Sequence, residues 1–448
     1  MTETIDGHPF WRLEFDQDGD FNPEQKSEVV AGLESAALGD LVLFSHGWNN
    51  DEQVAKSLYD RWFRRLSAQL GAGRTVGYVG IRWPAQWWRD EPIPDFEPSS
   101  GGHTSGAAAV TGSATIEAGS PALDPAQLDD LKALFPNAEA PLDTLADLLS
   151  SPPAPDTPQR LFDALREFSA AAGESFDDGE GNGTAIPGML DPDRDPELLF
   201  ETFAARLSDA GVQFGDGGGA AGLKELRDRL LHGAKEALRQ ASYWQMKNRA
   251  GVVGKNGVGP VISEITEKVP NLRIHLIGHS FGARLVSFAL AGLPEHGPTP
   301  IKSVTLLQGA FSRFAFADPL PFDLQRSGAL AGKLDRVDGP LAVCYSRHDR
   351  SLGTFYPLAS RARGDNASNA TDRLAQWRAM GSHGAHNSPN ETLGPVGQQY
   401  PFQPGAILNL DSSDIVINGD GLSGAHSDIH HDELAWAAAA AGQLTTAT

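Results

Sequence analysis

Ser280 lies in the pentapeptide Gly278-His279-Ser280-Phe281-Gly282. A serine hydroxyl is a poor nucleophile at neutral pH, and it attacks only when a base takes its proton and a third group orients that base. The chain offers both groups after Ser280. Asp349 closes the run Ser346-Arg347-His348-Asp349, directly behind the apolar stretch Leu341-Ala342-Val343-Cys344-Tyr345. His426 closes a glycine-rich loop, Gly419 to Ala425, that follows Ile415-Val416-Ile417-Asn418. Together these residue types support acyl transfer: Ser280 attacks, His426 shuttles the proton and Asp349 orients His426. Upstream, Ser45-His46-Gly47-Trp48 follows another apolar run. A His-Gly turn there aims a backbone N–H, that of Trp48, at negative charge developing on a substrate oxygen, and the Phe281 N–H is the second donor. His46, Gly47 and His279 are candidates for the pocket wall or its loops.

Such groups work only if regular elements hold them. Leu272 to Ile277 reads as a buried strand, and Ala283 to Leu290 carries apolar residues at helical spacing. A strand, a tight turn bearing serine, then a helix forms a nucleophile elbow, whose glycines make room for a strained turn. The bare pentapeptide is a weak signal; its flanks make it strong. Leu41 to Phe44 is a continuous apolar run, the mark of a central parallel strand covered on both faces. A helix is expected over 51–70. Further strands are expected at Trp11 to Phe15, Val76 to Trp83, Ser303 to Leu307, Leu341 to Tyr345 and, last, Asp414 to Asn418. Strands alternating with helices imply an α/β fold, with a mostly parallel central sheet flanked by helices. Asp349 then stands at the carboxyl end of a late strand, where functional carboxylates belong.

With these pieces in place, the chain resembles the α/β-hydrolase fold of serine hydrolases. The Gly-His-Ser-Phe-Gly-Ala form of the elbow is similar to the lipase and esterase side of that superfamily. The resemblance covers residues 1–95 and 241–448 and leaves an insertion at 96–240. It implies the chain order nucleophile, acid, histidine, which Ser280, Asp349 and His426 satisfy. It also implies ester hydrolysis through an acyl-enzyme with a backbone oxyanion hole and no cofactor. The insertion falls between early strands, whereas many caps of the superfamily follow the sixth, so the chain departs from the family pattern there.

The 448 residues carry a formal charge of −22. Residues 96–221 hold 22 Asp and Glu against 5 Lys and Arg, so most of the acidity belongs to the insertion. That balance argues against nucleic acid and anionic membrane as partners and leaves a small-molecule ester as the expected one. Residues 96–125 are rich in Gly, Ser, Ala and Pro and read as flexible loop. Helical stripes follow: Leu161, Phe162, Leu165 and Phe168; Leu199, Phe200, Phe203 and Leu207; and a long one from Leu223 through Leu226, Leu230, Ala234, Leu238 and Ala241 to Trp244. Asp177 to Gly183 and Gly215 to Gly219 separate them as loops, and 222–250 is expected to return the chain to the sheet. The single cysteine, Cys344, excludes an intrachain disulfide. With no export-like start and no membrane-length apolar run, a cytoplasmic location is expected.

Competing readings rest on particular residues. His426 and His430 have the i,i+4 spacing of metal ligands on a helix, but no third ligand accompanies them, so no metal is expected. His383 and His386 lack a preceding strand, and Asp338 lies at the wrong end of one. Asp16-x-Asp18-x-Asp20 resembles a calcium loop, yet Phe21 stands where glycine is needed and Ser27 where glutamate is. It reads as a turn. An acyltransferase or peptidase would use the same triad. A non-catalytic scaffold would instead use the acidic insertion as its working surface.

Overall fold

The computed structural model describes residues 3–48, 50, 52–85, 88, 116–173, 187–209, 211–214, 221–295, 299–352, 378–419 and 424–445. Among them, nine strands form one sheet in the order β1-β2-β4-β3-β7-β8-β9-β11-β10. β1 (Glu3–Ile5) and β2 (His8–Glu14) pair antiparallel. Every other neighbour pair is parallel: β3 (Asp40–Ser45), β4 (Val76–Arg82), β7 (Arg273–His279), β8 (Ile301–Leu307), β9 (Leu341–Tyr345), β10 (Asn390–Thr392) and β11 (Ile407–Asp411). Two short strands, β5 (Ile116–Glu117) and β6 (Val212–Gln213), form a separate ladder. The expected α/β class, with a mostly parallel sheet flanked by helices, is present.

All six residues of β3 are buried, which is why it reads as an unbroken apolar run. On one face of the sheet, α2 (Glu52–Ser67) presents Leu58, Tyr59, Trp62, Phe63 and Leu66, and the C-terminal helix Asp432–Ala441 presents Leu434, Ala437 and Ala438. The other face is covered by α1 (Pro23–Ala36), α7 (Ala221–Val252), α8 (Gly259–Lys268) and α9 (Phe281–Ala289). Asn22 starts α1 by accepting the N–H groups of Glu24 and Gln25, with Pro23 preset at the first turn.

The insertion packs into this second face. Its helices α3 (Pro125–Leu134), α4 (Glu139–Ser150), α5 (Thr157–Ala171) and α6 (Pro196–Asp209) bury Leu131, Phe135, Leu145, Phe162, Phe168 and Phe200 in the same apolar cluster as Val261 and Phe281. α7 is one continuous helix of 32 residues, about 48 Å long at 1.5 Å per residue. The expected boundary at 240/241 therefore falls inside a helix, because the apolar stripe from Leu231 to Ala241 continues into the segment covering α9. Leu226, which the sequence places on the stripe from Leu223 to Trp244, is instead 63% exposed. Arg249, near the end of α7, links the two parts. Its guanidinium donates to the carbonyls of Pro84 at 3.1 Å and Leu134 at 2.7 Å and lies over the Phe135 ring. Residues 96–115, Asp177 to Gly183 and Gly215 to Gly219, expected as loops, lie outside the described residues.

The last strand is not where it was expected. Asp414 to Asn418 forms a turn and irregular backbone, while β11 (Ile407–Asp411) pairs with β9 on one side and β10 on the other. Ile417 is 54% exposed, and the N–H groups of Ile417 and Asn418 go to the Asp428 carboxylate at 3.0 and 2.9 Å. Asn409 interrupts the apolar run of β11. Its buried amide is satisfied by the Ala385 N–H at 2.7 Å and carbonyl at 3.0 Å, so the polar residue costs the strand little.

Candidate active site

Ser280 sits between β7 and α9 with φ 56° and ψ −122°. A residue bearing a side chain is strained there, at a cost of about 1–3 kcal/mol that the surroundings must offset. The Ser280 N–H donates to Leu307, and the Ser280 carbonyl accepts from Ala283 and Ala310, each at 3.1 Å. The motif glycines follow from close approach. A Cβ on Gly278 would lie 2.3 Å from the Gly282 carbonyl, and one on Gly282 would lie 2.0 Å from the Ser45 carbonyl.

The three residues read from the sequence are brought together. The Ser280 hydroxyl lies 2.8 Å from His426 Nε2, and His426 Nδ1 lies 2.7 Å from Asp349 Oδ2. In the arrangement suited to attack, the hydroxyl donates to Nε2 while Nδ1–H donates to the carboxylate. Asp349 is buried behind β9, and its second oxygen accepts the Leu352 N–H at 2.9 Å. The loops carrying Asp349 and His426 meet directly: Asp349 bridges Gly424, and the Ala425 N–H donates to the His348 carbonyl at 2.9 Å. Among the described residues, His348 supplies main-chain groups to this junction.

The turn after β3 packs beside Ser280, since a Cβ on Gly47 would lie 2.5 Å from Ser280 Cβ. Four side chains fix this turn. The His46 N–H donates to Tyr59 Oη at 3.1 Å, and that hydroxyl donates to the Ile81 carbonyl. Trp83 Nε1–H donates to the His46 carbonyl at 3.1 Å, Asn50 Nδ2–H to the Trp48 carbonyl at 2.7 Å, and His46 Nδ1–H to the Gly47 carbonyl at 3.0 Å. Phe281 opens α9, so no helical carbonyl lies behind its N–H, and the positive end of the helix dipole points at Ser280. The rings of Trp48, Tyr243 and Phe281 cluster, with Tyr243 4.8 Å from Trp48 and 4.4 Å from Phe281.

Burial holds the accessory histidines neutral. His46 is pushed down to about 4, chiefly by desolvation, and stacks on Trp83. His279 is pushed down to about 3, first by burial and then by the His426 charge, and its Nε2–H donates to the His426 carbonyl at 2.9 Å. His430 is pushed down to about 3 by burial and by Arg61 and Arg65. Both ring nitrogens of His426 are engaged by Ser280 and Asp349, and no group of three His, Cys, Asp or Glu among the described residues could hold a metal ion. His383 bonds Ser382, and the His386 ring packs on Phe314. Asp338 pairs with Lys302 at the amino end of β8. Residues 420–423 of the loop before His426 lie outside the described residues.

A second Asp-His-Ser chain lies toward the other end of the strands. His275 bridges Asp40 at 3.1 Å and Ser303 at 2.9 Å, all three are buried, and Arg74 and Arg273 flank Asp40. Enclosure and position at the amino ends make it a tie between β3, β7 and β8. Two contributors to the active-site region escape the sequence signal. Gln308, behind β8, donates to the Ala425 carbonyl at 2.7 Å, and Tyr243 belongs to a helix whose stripe reads as packing. No helix among the described residues is long and apolar enough to cross a membrane. Compared with protein-family models, curated proteins and solved structures, the chain matches none.

Proposed function

We propose that this chain is a serine hydrolase of the α/β-hydrolase type that cleaves carboxylic esters through an acyl-enzyme. The observation that carries the reading is the unbroken Ser280–His426–Asp349 hydrogen-bond chain, built on loops at the carboxyl ends of parallel strands. His426 takes the Ser280 proton as the hydroxyl attacks the carbonyl carbon, then returns it to the leaving alcohol. Water repeats the sequence to release the acid. The N–H groups of Trp48 and Phe281 receive the oxyanion, on a turn already fixed by Tyr59, Trp83 and Asn50 and therefore needing little reorganisation. The rings of Trp48, Tyr243 and Phe281 pack beside this site, and the substrate expected is a small neutral ester.

Turnover of p-nitrophenyl acetate and butyrate tests this reading. Ser280→Ala should lower kcat by at least roughly 10³-fold with the melting temperature nearly unchanged. Turnover equal to wild type in that variant, or no turnover of any ester by the wild type, would reject it.

A further inference from the structure

The loop carrying His426 is gripped from the nucleophile side by two buried side chains. His279 Nε2–H donates to the carbonyl of His426 at 2.9 Å, and Gln308 Nε2–H donates to the carbonyl of Ala425 at 2.7 Å. Two successive carbonyls of the base loop are thus each taken by a donor. Those donors come from neighbouring parallel strands, His279 being the last residue of β7 and Gln308 following β8. Neither side chain is there for water, since His279 is 4% and Gln308 2% exposed.

Both residues carry a cost that packing alone does not explain. Among the described residues His279 Nδ1 is buried without a partner, so the ring's hydrogen bonding goes to the His426 carbonyl, whereas an apolar ring would fill the space without that penalty. Gln308 holds φ 43°, a left-handed conformation that disfavours a residue of this size. Its N–H is fixed to the Cys344 carbonyl at 3.0 Å, so the amide leaves the backbone from a defined point. Strain of this kind persists where the surrounding structure over-determines it, often at functional sites.

We propose that His279 and Gln308 are positioning residues that clasp the main chain at 425–426 and hold the His426 imidazole between Ser280 and Asp349. They act through the base: the His279 ring lies 5.1 Å from that of His426, and both donors hold its main chain. The clasp matters because His426 must present Nε2 to Ser280 in attack and to the leaving group afterwards, and small misplacements of a catalytic group are costly in rate. The proposal rests on Ser280 being the nucleophile.

The test compares wild type with His279→Phe and Gln308→Met, which remove the donors at similar volume, and with His279→Gln, which keeps a terminal N–H. Fluorophosphonate labelling of Ser280 is read first, then kcat and KM for p-nitrophenyl acetate, corrected for the folded fraction. The clasp predicts kcat lower by roughly 10- to 100-fold in the two donorless variants, KM within about two-fold, and partial recovery in His279→Gln. Folded donorless variants with wild-type kcat, or a loss fully accounted for by unfolding, would overturn it. Should His279→Phe fail to fold, Gln308→Met decides alone. An unlabelled wild type defeats the hydrolase reading and the clasp with it, whereas a labelled wild type with unaffected variants defeats only the clasp.

Discussion

Beside Ser280 there is no space for one more carbon. A Cβ at position 47 would meet Ser280 Cβ at 2.5 Å and the His279 carbonyl at 2.9 Å. Gly47→Ala should therefore cost at least about 100-fold in kcat/KM on p-nitrophenyl butyrate, by displacing either the nucleophile or the donor turn. Activity near wild type would show that the turn does not set the site. The histidines separate in the same assay. His426→Ala should be as damaging as Ser280→Ala, while His383→Ala and His386→Ala retain most activity. If His386→Ala were the inactive variant, the proton relay would have been placed wrongly. Ser280, Asp349 and His426 were legible because each residue type follows a strand or glycine-rich signal in the right order. Gln308 was not, since a glutamine after Leu306-Leu307 carries no pattern and its role depends on where the chain returns 117 residues later.

At the scale of elements, β3 and β9 were readable from unbroken apolar runs, the result of burial on both faces, and β7 and β8 from the buried Ile, Leu and Val that dominate them between polar residues. β11 was misplaced onto Asp414 to Asn418 because its own run contains Asn409, whose amide is satisfied only by the distant Ala385. The insertion boundary was blurred for a related reason: a stripe reveals a helix but not which body it covers. α7 covers both bodies, and Arg249 is the polar tie across them. Burial lowers its pKa to about 10, yet the group remains a cation at neutral pH and serves two carbonyls. Arg249→Met should lower unfolding free energy by about 2–4 kcal/mol, since it strips both carbonyls of a charged donor. Urea unfolding measures it, and a change below about 0.5 kcal/mol would place the tie elsewhere.

For the whole molecule, neutral buried histidines set the response to acid. His46, His279 and His430 have folded pKa values of about 4, 3 and 3, below the ordinary 6.5. The unfolded chain therefore binds more protons between pH 6.5 and those values. Their contribution to stability is complete above 6.5 and is lost as pH falls toward 3. Asp40 also titrates low, because the His275 hydrogen bond and charge together with Arg273 and Arg74 outweigh its burial, but its contribution fades only below the ordinary carboxylate value of 3.8. A melting temperature that declines from pH 6.5 to 4.5, with a flatter decline in His430→Leu, is expected. A flat profile across that range would contradict the neutral, buried assignment. The charge segregation acts on the same scale. With 22 acidic against 5 basic residues in 96–221, anionic vesicles should be repelled at low salt, and tight binding there would reject that expectation.

The proposed function stands on Ser280 being a nucleophile activated by His426. Mass spectrometric mapping of the fluorophosphonate adduct on the intact protein tests it most directly. A single adduct on the peptide containing Ser280 is expected, with labelling slowed by at least roughly 10³-fold in His426→Ala. No adduct on the folded wild type, or an adduct on a different serine, would contradict it.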